Sequence, residues 1–330
     1  MKHSMDSHVW KNKILIIVGV LILCTLFCVS LFLGKYPLSL KLLIDKDPMQ
    51  WNIFWNLRFS RVFLGCIGGF AIGMSGFVYQ MLFRNPLASP DILGVSSGAS
   101  AGAAMGILFF TGIYPIIVCS FFGAVLAVVC ALLFASVDRS GNKMTVVLAG
   151  IAVHAVAQMV LMLLKGIADP EKELASIEYW IMGGLNGISI KLLWANIPIC
   201  LICLLLLLLL HRQSILLSMD EIESRMLGVR VARVRLVLLL LSTLAVASIV
   251  SLTGIISFIG LLAPHCARKL TKENQVKTMV LSGILGSLFL MLADILARSI
   301  ARSELPVSIF TSMFGVPFLI LLIIRGRDWS

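Results

Sequence analysis

Positions 62–82 read VFLGCIGGFAIGMSGFVYQML, a run without a single charge and long enough to cross a bilayer as a helix. Within it Gly65, Gly69 and Gly73 recur four residues apart, with Gly68 and Gly76 beside them. Four-residue spacing puts such glycines on one helix face. A face without side chains lets a second helix approach to backbone contact, which is how helices associate where lipid removes the hydrophobic drive. The next apolar stretch repeats the device with Gly94, Gly98, Gly102 and Gly106. The same faces could instead line a wide passage, so packing and pathway roles both stand for Gly65, Gly69, Gly73, Gly98 and Gly102.

Comparable runs lie near 14–33, 92–110, 115–136, 144–165, 192–210, 236–253, 255–267, 278–297 and 307–324. Two of them differ from the rest: 92–110 is rich in Gly and Ser, and 255–267 is short. A short segment spans only partly, or is packed inside the bundle where protein satisfies its backbone. The whole chain agrees with this pattern, being 59% hydrophobic and only 13% charged, with a mean hydropathy of +1.02. A soluble protein could not cover that much apolar surface. The expected fold is therefore an all-α integral membrane protein, a bundle of about ten transmembrane helices in one domain over 1–330, with the lipid bilayer as its solvent.

The formal net charge of +11 could suggest nucleic acid. The basic residues instead sit in short gaps between apolar runs, with no interleaved aromatics. An even number of spans puts both termini on one side. The larger share of the 27 Lys and Arg then falls in the gaps that face the cytoplasm if the termini do. The expectation is a multi-pass protein of the cytoplasmic membrane with both ends inside and no nucleic-acid partner. Residues 14–33, longer than a signal-peptide core, are expected to be a retained first helix. Of the eight cysteines, Cys200 and Cys203 form a CxxC, but inside a leucine-rich span and with no second cluster to complete a metal site. They read as small apolar fillers.

Polar positions inside or beside the spans are candidates for function. His154 and Gln158 are four apart in the fifth run, either bonded between helices or lining a pathway. Asp294 and Arg298 are four apart and could pair along one face. Ser218-Met-Asp220-Glu221 has the capping-box pattern, so a short helix follows through Arg225 and Leu227, with Gly228 placed to end it. That helix could lie on lipid headgroups or dock a cytoplasmic partner. The chain has no GxxxxGK[ST], HExxH or GxSxG motif, so no catalytic constellation is expected and any ATP is hydrolysed elsewhere.

Five ordered segments resemble the FecCD-type permease family of iron-siderophore, haem and vitamin B12 ABC importers. They are Leu57-Arg58-Phe59-Ser60-Arg61, with Ser60 where the family has proline; Asn85-Pro-Leu-Ala-Ser-Pro-Asp-Ile-Leu-Gly-Val-Ser-Ser-Gly-Ala99; Leu227-Gly228-Val229 after an acidic helix; Gly254 to His265, reading GIISFIGLLAPH; and Asp294 to Arg298 with Glu304-Leu-Pro-Val307 and Gly315-Val-Pro317-Phe318. The resemblance implies a type II ABC importer permease fold with its core over 62–324. It implies a homodimer, or a heterodimer with a paralogous permease, and two cytoplasmic ATPase subunits that hold ATP and Mg. This chain itself would bind no cofactor. An extracytoplasmic substrate-binding protein would meet Arg58, Arg61 and Arg298. The ATPases would dock on 218–229, through Asp220, Glu221, Ser224, Arg225, Leu227 and Gly228. His154, Gln158, Gly315 and Pro317 would form the pathway and its gates, with a kink near Gly315 and Pro317. Ferric siderophore ranks first as cargo, then haem, then cobalamin. An ion-coupled secondary transporter would need membrane carboxylates or matched broken helices. A membrane enzyme would need an acid, base or metal cluster.

Overall fold

The computed structural model describes residues 2–34, 38–137, 143–217, 221–227, 230–300 and 304–325. The described elements are helical throughout. In chain order they are α1 (Lys2–Phe32), α2 (Leu40–Ile44), α3 (Pro48–Asn52), a π-helical stretch (Ile53–Phe59), α4 (Ser60–Phe83), a 3-10 turn (Pro90–Leu93), α5 (Val95–Phe109), α6 (Ile113–Ser136) and α7 (Lys143–Ile167). There follow α8 (Glu173–Met182), α9 (Ile190–Leu209), α10 (His211–Leu216), α11 (Glu221–Met226), α12 (Val231–Thr253), α13 (Ile259–Thr271), α14 (Val276–Ser299) and α15 (Val307–Arg325).

The ten expected runs become α1, α4, α5, α6, α7, α9, α12, α13, α14 and α15. Among the described residues seven apolar stretches are long enough to cross a membrane, and Val95–Phe109 and Val307–Leu321 are shorter apolar helices. The two atypical runs prove short for backbone reasons. The 92–110 run gives up its first turn to the 3-10 segment, after which Gly94 at φ +81° redirects the chain into α5. The 255–267 run gives up its first four residues to the non-helical stretch Gly254 to Phe258, which ends with Phe258 at φ +67°. A bulky residue in that region carries backbone strain.

α4 is the buried centre, packed against α12, α13 and α14. The glycine faces explain how. A methyl group added to Gly69 would overlap the Gly286 carbonyl, and one added to Gly73 would overlap that of Ser282, both on α14. Ser282 Oγ donates to the Gly73 carbonyl at 2.7 Å and Ser287 Oγ to that of Cys66 at 2.6 Å, so hydroxyls bond across the glycine seam. α5 and α6 repeat the device: Gly98 faces the Gly123 carbonyl and Gly102 that of Cys119. Gly65 is the looser member, with the Leu185 side chain 3.2 Å from where its methyl would lie. α12 is tied to α4 by Tyr79 Oη and Thr243 Oγ1, 2.8 Å apart. Cys200 and Cys203 are buried along α9.

Candidate functional site

Three layers of polar chemistry lie along the bundle. At one end of the bundle Arg61 Nε bonds Asp294 Oδ1 at 2.8 Å while its Nη1 bonds Glu304 Oε2 at 2.9 Å. Arg298 Nε stands 3.5 Å from Asp294 Oδ2, the intrahelical pair that the four-residue spacing suggested, and its Nη1 donates to the Leu33 carbonyl at 3.0 Å. Arg298 also reaches Ser30, and Arg58 donates to the same Leu33 carbonyl. The three arginines expected to meet a binding protein are buried in the isolated chain: Arg58, Arg61 and Arg298 are 6%, 8% and 5% exposed. The reason is electrostatic. Guanidiniums at the rim of an apolar bundle lose hydration unless carboxylates and carbonyls replace it. Glu304 is the accessible member of this network, its side chain 36% exposed. Arg58, Arg61, Arg298 and Glu304 line one cavity of about 240 Å³ together with Asn186 and Gly187.

The π-helical stretch that carries Arg58 was not legible in the sequence. With α3 and the start of α4 it presents an aromatic ladder, Trp51, Trp55, Phe59 and Phe63, with neighbouring ring centroids 5.9, 4.9 and 5.4 Å apart. Trp194 of α9 closes the ladder, 6.1 Å from Phe63.

The second layer lies at mid-depth. Asp91 in the 3-10 turn shares a cavity of about 270 Å³ with Ser89, Ser96, Ser257, Phe258 and Ile72. Ile72 is halfway along α4, and the turn packs on α7 around Gly150 and His154, again near mid-helix. Ser96 Oγ donates to Asp91 Oδ1. Both Asp91 and His154 are exposed in the isolated chain, with Gln158 half-buried one turn beyond. Asp91 was missed as a membrane carboxylate because it sits in a turn between apolar runs rather than inside one. The two prolines before it, Pro86 and Pro90, and the glycine break after it were the available signal.

Gly315 lies against the Phe258 ring, leaving no room for a methyl group. Pro317 is inside α15, which continues as a helix to Arg325, so the expected kink is not a helix break. His265 of α13 meets Phe318 of α15 edge-on, with centroids 5.0 Å apart.

The third layer is α11, the short helix that the capping pattern anticipated. Ser218, Asp220 and Gly228 lie outside the described residues, and the helix observed is Glu221–Met226, including the backbone of Arg225. Ser224 is buried and its Oγ donates to the Leu216 carbonyl at 2.8 Å, which ties α11 to the end of α10. Met226 and Leu227 are exposed at 81% and 60%, an unusual presentation for large apolar side chains on so polar a loop.

A family model described as the FecCD transport family matches residues 20–325. The chain is 31% identical to the molybdate import system permease MolB of Haemophilus influenzae, over 90% of this chain and 91% of that protein. It is 37% identical to a Helicobacter pylori protein named for an iron chelatin transport system permease, over 83% of each. Its fold superposes on an inward-facing metal-chelate type ABC transporter with a TM-score of 0.87 at 31% identity, covering 95% of this chain and 99% of that one.

Proposed function

The chain belongs to the FecCD transport family and is a permease subunit of an ABC importer, a multi-pass membrane protein and not an enzyme; from that premise we propose that its cargo is a ferric siderophore, moved across the cytoplasmic membrane by alternating access. The observation that carries the chelate reading is the likeness to the metal-chelate transporter along nearly the whole chain. The relative named for iron chelatin transport supports the same class.

The layers suit this work. Two permease copies, identical or paralogous, enclose the pathway, with both termini of each in the cytoplasm. A binding protein delivers cargo at the arginine cluster. There an incoming carboxylate must exchange with Glu304 for Arg61, because Asp294 is buried too deeply to leave. Such pairs steer and orient docking more than they tighten it. His154 and Gln158 line the path at mid-depth. Gly315 and Pro317 of α15 move against Phe258 as the gate. On the cytoplasmic side two ATPase subunits, holding ATP and Mg, seat on α11. Exposed Met226 and Leu227 supply apolar contact, and Asp220, Glu221 and Arg225 supply charge. Ser224 ties down the helix that transmits the motion.

The test is ATP hydrolysis by the complex of this chain with its ATPase subunit in nanodiscs, with and without the binding protein loaded with a ferric siderophore. Stimulation in wild type, and its loss with Glu221→Lys plus Arg225→Glu, is the expected result. If no ATPase subunit associates, the assembly is wrong. If haem or cobalamin but no siderophore stimulates, the cargo is wrong.

A further inference from the structure

Asp91 lies level with the middle of α4 and α7 and is exposed in the isolated chain, as is His154 of α7. A carboxylate facing hydrocarbon at the bilayer centre costs about 2.5–3.5 kcal/mol on insertion scales. This face must therefore be covered by protein or open to water. We infer that Asp91 places a fixed negative charge on the aqueous pathway at mid-membrane, so that the pathway favours neutral or cationic ferric chelates and disfavours anionic ones. The inference rests on the importer reading above and adds a charge filter to it.

Three features hold the charge there. The Ser96 hydroxyl donates to the carboxylate. Asp91 stands just before Val95, the first residue of α5, where exposed N–H groups favour an anion. The cavity it lines is also bordered by Gly260 and Leu261, in the first turn of α13, a second helix N-terminus. Little opposes it. Neither 144–164 of α7 nor 307–324 of α15 contains a Lys, Arg, Asp or Glu, and His154 is the single basic side chain on those stretches. The His154 backbone packs against Gly94, at the end of the turn that carries Asp91. Arg268 of α13 is occupied by Gln80 and by the Phe77 ring, 5.3 Å away. Charge in a narrow, low-dielectric passage acts strongly on what passes, because field lines are focused there. Each permease copy adds one such carboxylate. A ferric triscatecholate or a molybdate anion meets repulsion where a neutral ferric trishydroxamate meets none.

The test is made on the full transporter in nanodiscs carrying His154→Cys, with Asp91 or with Asp91→Asn. Modification of residue 154 by a cationic and by an anionic methanethiosulfonate reagent is followed by peptide mass spectrometry, which separates it from the native cysteines. With Asp91 present, the cationic-to-anionic rate ratio is expected to exceed that of free cysteine in bulk by roughly tenfold, and Asp91→Asn to remove that excess. A ratio equal to that of free cysteine with Asp91 present overturns the filter even if the Asn variant fails to assemble. A ratio unchanged by Asp91→Asn overturns it as well, and in both cases the importer reading stands. A residue 154 that reacts with neither reagent shows that the face is dry, and the pathway assignment of α7 falls with it.

Discussion

Asp294 and Glu304 bind the same guanidinium from opposite environments, so their removal should differ in a predictable ratio. The Asp294 side chain is 3% exposed and neutralises both Arg61, at 2.8 Å, and Arg298, at 3.5 Å. Removing one partner of a buried ion pair costs about 3–5 kcal/mol, because the charge left behind is neither hydrated nor paired. Here Arg61 keeps Glu304 at 2.9 Å and Arg298 keeps the Leu33 carbonyl at 3.0 Å. Asp294→Asn should therefore fall at the lower end, about 3 kcal/mol, or roughly a hundredfold in the folded-to-unfolded ratio. Glu304 is a third exposed, and a pair of that kind contributes about 0.2–1 kcal/mol. Glu304→Gln should cost no more than that, and the cost should shrink further in salt. Reversible unfolding by SDS in bicelles, followed by tryptophan fluorescence, measures both variants, since Trp55 stacks beside the segment that carries Arg58 and Arg61. Equal costs for the two variants, or a larger cost for Glu304→Gln, would refute the inward-turned network and return these arginines to the surface.

The glycine seam should be intolerant of size. Gly73→Leu sets a side chain against the Ser282 carbonyl and is expected to abolish stable insertion, whereas Gly166→Leu, which faces open space, leaves yield unchanged; membrane-fraction immunoblots compare them. Gly315→Val meets the Phe258 ring and should depress cargo-stimulated ATP hydrolysis while leaving assembly intact, and Phe258→Ala should restore part of the loss. Ser224→Ala removes the bond to the Leu216 carbonyl and should loosen α11, lowering stimulated turnover several-fold; retention of full stimulation would show that this bond does not shape the docking helix.

Much of this was legible in the residues because the bilayer allows so few backbone solutions. Uncharged runs forecast the spans, glycines at four-residue spacing forecast which faces would meet another helix, and Ser218 with Glu221 forecast a short helix in the loop between α10 and α12. What failed to show has a common cause. Sequence spacing reports position along an element, not what lies across from it. Arg61 looks like a surface cation until Asp294 and Glu304 arrive from more than two hundred residues away to turn it inward. Asp91 looks like a turn residue until the chain folds back and carries it to the level of Ile72. The π-helical stretch depends on hydrogen bonds between positions five apart, which no residue type announces.

The glycine seam between α4 and α14 has a mechanical consequence. Backbones in such close register cannot slide, since a shift of one helical turn would drive a side chain into a carbonyl. Ser282 and Ser287 pin the same line at two heights. The pair is therefore a strut: it can tilt as one piece, but it cannot shear internally. Movement must then be borne by joints elsewhere, at Gly94 and around Phe258, where the backbone already leaves the helix. A displacement begun at one end of the strut reaches the other undiminished, as in a rigid lever turning about its fulcrum.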